Sequence, residues 1–554
     1  MTSRLVSHTR WLRWIATLAI WGTAACAVPP AGAAGEPTPA PPPPLREERV
    51  RIDALSRLES VAVSRRYVFV VGQGGIGVYD RMRDGWVSPL PADEELAGQS
   101  VTVTAADPVE DALWIGVPGA VFCYRPELNQ LQRITVVGVP DRIAFDRGGM
   151  GDALVRSGRQ WMRISRVGIT SPMAEPAPAM LRPVDTAEDV LREFPQLRSS
   201  LGALLRSPLP NRPLRSPVIR DVARAPDRAS ELWLATDREG LYRYDPVLQE
   251  ARAIPYGLLE PGAGALALAA DGLWVAGLGL DAAHGGLTWL APTLQRWRWI
   301  EGTMATPLAG RRPAALVSRG ERLWLGTDRG VVRVTTDRTA DVREWTRLHG
   351  LVDDQVLALA PLGEGVFVGT RRGIQYVSDT VGLYGQRTRG VERPLLANVA
   401  VFALQLVGDT LWAGTEAGLV AIAQPRGSAT VVARPLARSV RALAWRDSVL
   451  VIGTPDGIWQ LDPRRASAPV PNPALALAPI GQLTRVAIDE RTLWVTGTQG
   501  VLTQSRATQS VRLLRDRVDL PGPVLDVAAT ADWMWLAMPQ GLLRLARARD
   551  GHPR

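Results

Sequence analysis

The sequence predicts an all-β fold, a β-propeller built from about eleven repeats of roughly 42 residues with four strands each and a short helical insertion. The first observation behind this is a unit of two short apolar runs around a polar reversal, copied along nearly the whole chain. Its clearest copy is Leu323-Trp324-Leu325-Gly326-Thr327-Asp328-Arg329-Gly330-Val331-Val332-Arg333-Val334, where Thr-Asp-Arg-Gly has the turn chemistry of a hairpin. The second is the step between copies from Trp324 to Trp535, roughly 42 residues, which is the spacing of propeller blades and not of helical repeats. The third is a near absence of helical periodicity against many Gly-bounded turns.

The copies centre, in chain order, on Val70, Trp114, Leu154, Trp233, Trp274, Trp324, Phe367, Trp412, Val451, Trp494 and Trp535. Each period leaves room for two more strands. An alternating small and apolar segment precedes the hairpin, as in "QVLALAPLGEG" and "SVRALAWRDS", and an apolar segment follows it, as in "LQRITVVG" and "VREWTRLHG". The small residues of the first strand (Ala358, Ala360, Ala403, Ala442, Ala444, Ala487, Ala528) suit the crowded inner edge of a blade. The tryptophans are expected to pack between neighbouring blades and not to stack on a ligand.

The order "GLVDDQVLALAPLGEGVFVGTRRGIQYV", with "LWLATDREGLYRYDP" elsewhere, resembles the two-component regulator propeller repeat of the periplasmic sensor regions of bacterial hybrid regulators. The resemblance covers about residues 50 to 545 and implies a rigid propeller on the outer side of a membrane. In such regulators a membrane span and signalling domains follow the propellers. The sequence up to Arg554 holds neither, so the expectation is a stand-alone exported form without kinase domains.

Residues 1–27 read as a signal peptide, with Arg4, Arg10 and Arg13 ahead of an apolar run from Trp14 to Ala24 that is too short to cross a bilayer. Thr23-Ala24-Ala25-Cys26 resembles a bacterial lipobox, which would make Cys26 a lipidation site, although Thr23 departs from the usual aliphatic residue. Ala25-Cys26-Ala27 and Ala31-Gly32-Ala33 offer ordinary cleavage instead. Residues 28–44 form a Pro-rich linker that would hold a folded body off a membrane. The localisation expected is therefore export, as a periplasmic, outer-membrane or cell-surface lipoprotein of a bacterium. With Cys26 lipidated or removed, Cys123 is left as a lone core thiol.

Propeller repeats are assigned to residues 45–169 and 218–545, followed by a polar tail at 546–554. The last hairpin lacks an outermost strand, and Arg49-Val50-Arg51-Ile52 can supply it, closing a ring by pairing the two ends of the chain. Typical rings have four to eight blades, which favours two rings over a single large one, for instance five plus six, with one ring inserted into another built from both termini. Between them, residues 170–217 depart from the repeat. Asp185 and Glu188 suggest a capping box, and Leu191, Phe194, Leu197, Leu201 and Leu204 have helical spacing broken at Pro195. This insertion reads either as a surface excursion packed on the propeller side or as a docking helix or lid.

The chain carries 64 basic and 55 acidic side chains, every basic one an arginine. Acidic residues are interspersed among them throughout, which argues against a nucleic-acid binder. Of four histidines, His8 lies in the signal and His552 in the tail, while His284 and His349 have no metal-ligand spacing around them. No cofactor and no metal site is expected, and the oligomeric state is not legible.

Strand parity locates the candidate site. If the first strand of each blade runs down the channel and the second returns, the turns between second and third strands share one rim with the blade-to-blade loops. That rim gathers Asp237, Arg238, Asp328, Arg329, His349, Asp353, Asp354, Gln355, Arg371, Arg372, Glu416 and Asp456, a polar set suited to an acidic or hydroxylated ligand. Asp353 and Asp354 are adjacent and expected to point apart, which weakens them as an acid and base pair. The reading is a non-catalytic propeller that binds a saccharide or protein ligand over its loops. The alternatives are a polysaccharide lyase or glycoside hydrolase, which needs paired carboxylates in the channel, and an envelope assembly scaffold.

Overall fold

The computed structural model describes residues 49–52, 58–72, 75–87, 99–128, 130–148, 152–182, 185–198, 218–237, 239–280, 285–302, 307–337, 341–381, 387–426, 428–465, 468–548 and 552–553. The signal at 1–27 with Cys26, the linker at 28–44, Leu201, Leu204, Arg238 and His284 lie outside them.

Eleven antiparallel four-stranded sheets account for the strands, one for each hairpin copy. In chain order they are blades A (58–86), B (103–135), C (140–173), D (218–254), E (263–301), F (313–345), G (356–391), H (401–436), I (442–471), J (483–515) and K (526–546). Blade K takes its fourth strand from Arg49–Ile52, in the register Arg49 to Leu545 and Ile52 to Leu542. Pairing of the two chain ends follows the expectation.

The sheets are local because each hairpin is held by its own turn. In "GTDRG" the Thr327 hydroxyl donates to the Gly330 carbonyl at 2.8 Å and accepts the Arg329 N–H at 3.1 Å. Thr370, Thr415 and Thr454 make the same bond to Gly373, Gly418 and Gly457. Gly330 has φ +107°, and a Cβ there would meet the Trp345 carbonyl at 2.3 Å, so only glycine fits. Thr370 is fully buried. Replacing it with Val is expected to cost about 1–3 kcal/mol by stranding the carbonyl and the N–H. The urea midpoint of Thr370→Val, with Thr370→Ser restoring it, measures this.

Blades stack through alternation along the second strand. In blade F, Leu323 and Leu325 pack on Ala265, Trp274 and Leu287 of blade E. Trp324 faces the opposite way, onto Val356 and Val368 of blade G and Leu351 of the loop leading into it. The Trp face of one blade thus meets the Leu face of the next, and Trp114, Trp233, Trp324, Trp494 and Trp535 are at most 2% exposed. The inter-blade role expected for the tryptophans holds.

This stacking fixes the grouping as one closed ring of seven blades and a run of four, not as the two rings of five and six expected. The first strands of E, F, G, H, I, J and K are neighbours in that order, and K returns to E. The return is bonded, since Asp526 of K accepts the Leu266 N–H of E at 2.9 Å. The remaining blades run D, A, B, C, and Asp221 of D accepts the Val61 N–H of A at 2.9 Å. The chain therefore enters at K, builds the four-blade group and returns to complete the seven-blade ring. The five-plus-six division failed because every Trp-on-Leu junction has the same chemistry, leaving nothing in the repeat to mark where one set ends.

What marks it is the insertion. Thr170–Met173 is the fourth strand of blade C, so the departure from the repeat begins at 174 and not at 170. The helix α1 (Ala187–Glu193) is capped one residue later than expected, by Thr186 and Asp189: the Thr186 hydroxyl accepts the Asp189 N–H at 3.2 Å and the Asp189 carboxylate accepts the Thr186 N–H at 3.0 Å. These bonds hold the Asp189 carboxyl below its usual pKa. Val190 of α1 and Leu197 pack on Val222, Leu232, Leu234, Tyr242 and Tyr244 of blade D. That is the Leu face, which elsewhere receives the preceding blade. The insertion thus packs on the propeller side in place of a blade.

The tail is not a free polar end. His552 is 6% exposed, with Nδ1 2.7 Å from the Thr503 hydroxyl and Nε2 3.0 Å from that of Ser510, which seats it on blade J. Cys123 is a buried thiol in the core between blades B and C, where burial pushes its pKa up to about 11.

Candidate functional site

The first strands of the seven-blade ring line a central channel, and most of them begin with the same irregularity. Register slips by one residue between Ala263 and Ala265, Pro313 and Ala315, Val356 and Ala358, Val401 and Ala403, and Leu483 and Arg485. The extra residues are Gly264, Ala314, Leu357, Phe402 and Thr484. A bulge of this kind re-aims a side chain at a rim, and these five residues line a vestibule of about 410 Å³ at the channel mouth.

Three arginines complete the wall. Arg312 comes from the loop entering blade F, Arg441 from the residue before blade I, and Arg485 from blade J. Among the described residues, no Asp, Glu or His lines the vestibule. Arg485 closes it from below. Its guanidinium donates to the Ala314 carbonyl across the channel and pairs with Asp526 at 3.3 Å. The second oxygen of Asp526 is the one holding Leu266. Beneath this bridge the channel continues as a smaller cavity between Leu266, Leu316, Leu359, Leu404, Val486 and Val527.

The predicted rim lies on this same face. The Gly330 N–H donates to the Asp354 carbonyl at 2.6 Å, and the Asp328 N–H to the Arg312 carbonyl at 3.1 Å, so hairpin turns and blade-to-blade loops do meet as strand parity requires. They meet outside the vestibule, engaged with one another. Asp328 accepts the Arg312 N–H at 3.0 Å, Glu416 the Ala400 N–H at 3.3 Å, and Asp456 pairs with Arg438 at 3.1 Å. The Arg329 carbonyl accepts from Arg311 and the Arg372 carbonyl from Asn398, while Arg371 is exposed. His349 Nδ1 accepts the Thr346 N–H at 3.2 Å and so caps a short 3-10 turn. Asp354 accepts the Arg347 N–H at 2.7 Å and Asp353 the Gln355 N–H at 3.3 Å, separate partners for two adjacent carboxylates. Asp237 pairs with Arg220 at 2.9 Å on blade D, which belongs to the four-blade group and not to this mouth. There Asp221 occupies the position that Asp526 has in the ring, and burial raises its carboxyl pKa.

Sequence reasoning missed Arg312, Arg441, Arg485, Phe402 and Asp526. A doubled residue at the start of the first strand of blade H, where the small and apolar alternation slips, is a signal for Phe402; the arginines and Asp526 carry none of their own.

Among the described residues no cluster of three or more His, Cys, Asp or Glu side chains is placed to hold a metal ion. Also among them, no helix is long and apolar enough to cross a membrane.

No family model matches the chain, and no curated protein matches it either. Solved structures do. The extracellular domain of a Bacteroides protein from B. thetaiotaomicron, described both as a one-component and as a hybrid two-component system, aligns at 15% identity and a TM-score of 0.40 over 90% of this chain. This chain spans 65% of the length of that domain, just under two thirds. PorZ of Porphyromonas gingivalis, a surface component of its type-IX secretion system, aligns at 14% identity and a TM-score of 0.41, over 88% of this chain and 68% of its own. Virginiamycin B lyase from Staphylococcus aureus covers 52% of this chain with 96% of its own, at 13% identity and a TM-score of 0.41. At these identities and scores none of the likenesses bears on activity, and the propeller architecture rests on the eleven sheets themselves.

Proposed function

We propose that this chain is an exported, membrane-anchored β-propeller that binds a ligand or protein partner at the mouth of its seven-blade ring without transforming it. One observation carries the reading. Among the described residues the vestibule presents three guanidinium groups and no carboxylate, and the carboxylate below, Asp526, is already held by Arg485 and by the backbone. A glycoside hydrolase of the usual kind needs two carboxylates facing each other across the bound sugar, about 5–9 Å apart. A rigid ring with arginine forks at its rim instead suits recognition of a negatively charged group. Export and anchoring are supported by the signal at 1–27, by Cys26 and by the spacer at 28–44.

The test compares the wild-type chain with the Arg312→Glu, Arg441→Glu double variant. Photo-cross-linking in envelope fractions and a panel of soluble glycans give the partners. Loss of the bound partner in the double variant, at unchanged melting temperature, is the expected result. Retention of every partner removes the mouth as the binding site, and release of glycan fragments by the wild type overturns the non-catalytic assignment.

A further inference from the structure

Resting on that reading of the mouth, we infer that the vestibule takes a small ligand carrying an oxyanion (carboxylate, sulfate or phosphate) on a ring with an apolar face. The shape of the recognition element comes from the bulge in blade H. It turns Phe402 into the mouth, and the Arg441 guanidinium carbon lies 3.9 Å from the centre of its ring. Stacking uses the flat face of a guanidinium and none of its N–H donors, so the donor edge of Arg441 is left for an acceptor lying in the same plane. The backbone beneath is fixed, with the Arg441 N–H donating to the Gly453 carbonyl at 2.8 Å.

Arg312 faces Arg441 from the other side of the ring. Its backbone is held by Asp328, and neither its guanidinium nor that of Arg441 has an ion pair among the described residues. Arg485, the third, is committed to Asp526 and the Ala314 carbonyl and forms the floor. Two donor forks are therefore available where field lines are concentrated by a concave wall. Apart from Thr484, the rest of the described wall is apolar, with Leu278, Leu357 and Pro313, so a bare inorganic anion would leave it wet. A volume of about 410 Å³ is at the small end of ligand pockets and suits one or two rings.

Titration calorimetry on the full chain tests this with digalacturonate, its uncharged methyl ester, glucose 6-sulfate, glucose 6-phosphate and inorganic sulfate. At least one acidic ring is expected to bind, at least about 10-fold tighter than the ester and than sulfate, in line with a charge-assisted hydrogen bond. Which of the three binds names the oxyanion. Arg312→Gln and Arg441→Gln should each weaken it about 10-fold or more, and Phe402→Ala should weaken the acidic ring while leaving sulfate unchanged. Equal binding of acid and ester, indifference to both arginine variants, or no binding by any acidic ring would overturn the inference. In each of those cases a partner still lost in the double charge reversal leaves the wider reading standing.

Discussion

Removing Arg49–Ile52 is expected to lower the stability of the seven-blade ring by on the order of 5 kcal/mol, from two buried aliphatic side chains and the ladder bonds around them. Val50 and Ile52 are 6% and 4% exposed, and their strand covers the outer side of Gly541–Ala546. Without it that strand becomes an open edge, a template for pairing with another chain. Thermal unfolding should begin earlier in a chain starting at residue 58, light scattering should rise with concentration, and a peptide spanning 45–57 added in excess should reverse both. An unchanged melting temperature would mean that the ring holds without its closing strand.

The second large effect is expected at a blade junction. Trp324 is 1% exposed, lies against Trp345 with ring centres 5.1 Å apart, and fills the Leu face of blade G. Trp324→Ala should cost about 3–5 kcal/mol, as deletion of a large buried aromatic side chain does. Trp161 of blade C is a contrasting site. It lies under the guanidinium groups of Arg142 and Arg156, at 6.0 and 5.9 Å, and flexible arginines can collapse into the space it leaves. Trp161→Ala is therefore expected to cost less than half as much, read from the shift in denaturant midpoint. Equal costs at the two positions would contradict the junction scheme.

The sequence carried the hairpins because their signal is local. Thr327 and Gly330 sit within one turn and close it with their own atoms, so the unit is readable wherever it recurs. The pairing of Arg49 with Leu545 was readable by subtraction, from a last blade one strand short. The mouth was not, for a definite reason. Charged residues such as Asp328 and Glu416 advertise a polar surface but spend their carboxylates on neighbouring N–H groups. The residues that do face the vestibule, Ala314, Leu357 and Phe402, are put there by a register slip that depends on the paired strand. Arg441 and Arg485 look like any of the other arginines until the ring brings them together. The helix cap shows the same limit on a small scale, since Asp185 with Glu188 and Thr186 with Asp189 satisfy the same spacing, and the fold uses the latter.

A blade with a Leu face at one end and a Trp face at the other is a self-complementary tile, and an unclosed run of such tiles can add copies of itself head to tail without limit. The four-blade group avoids this through α1. With Val190 and Leu197 seated on blade D, the receiving face is already filled and a second molecule finds no socket. At blade C the offered aromatic is sheathed in arginine, which two copies would have to strip of water before they could join. The irregular stretch in an otherwise repetitive chain is, on this view, what keeps the molecule from becoming a fibre.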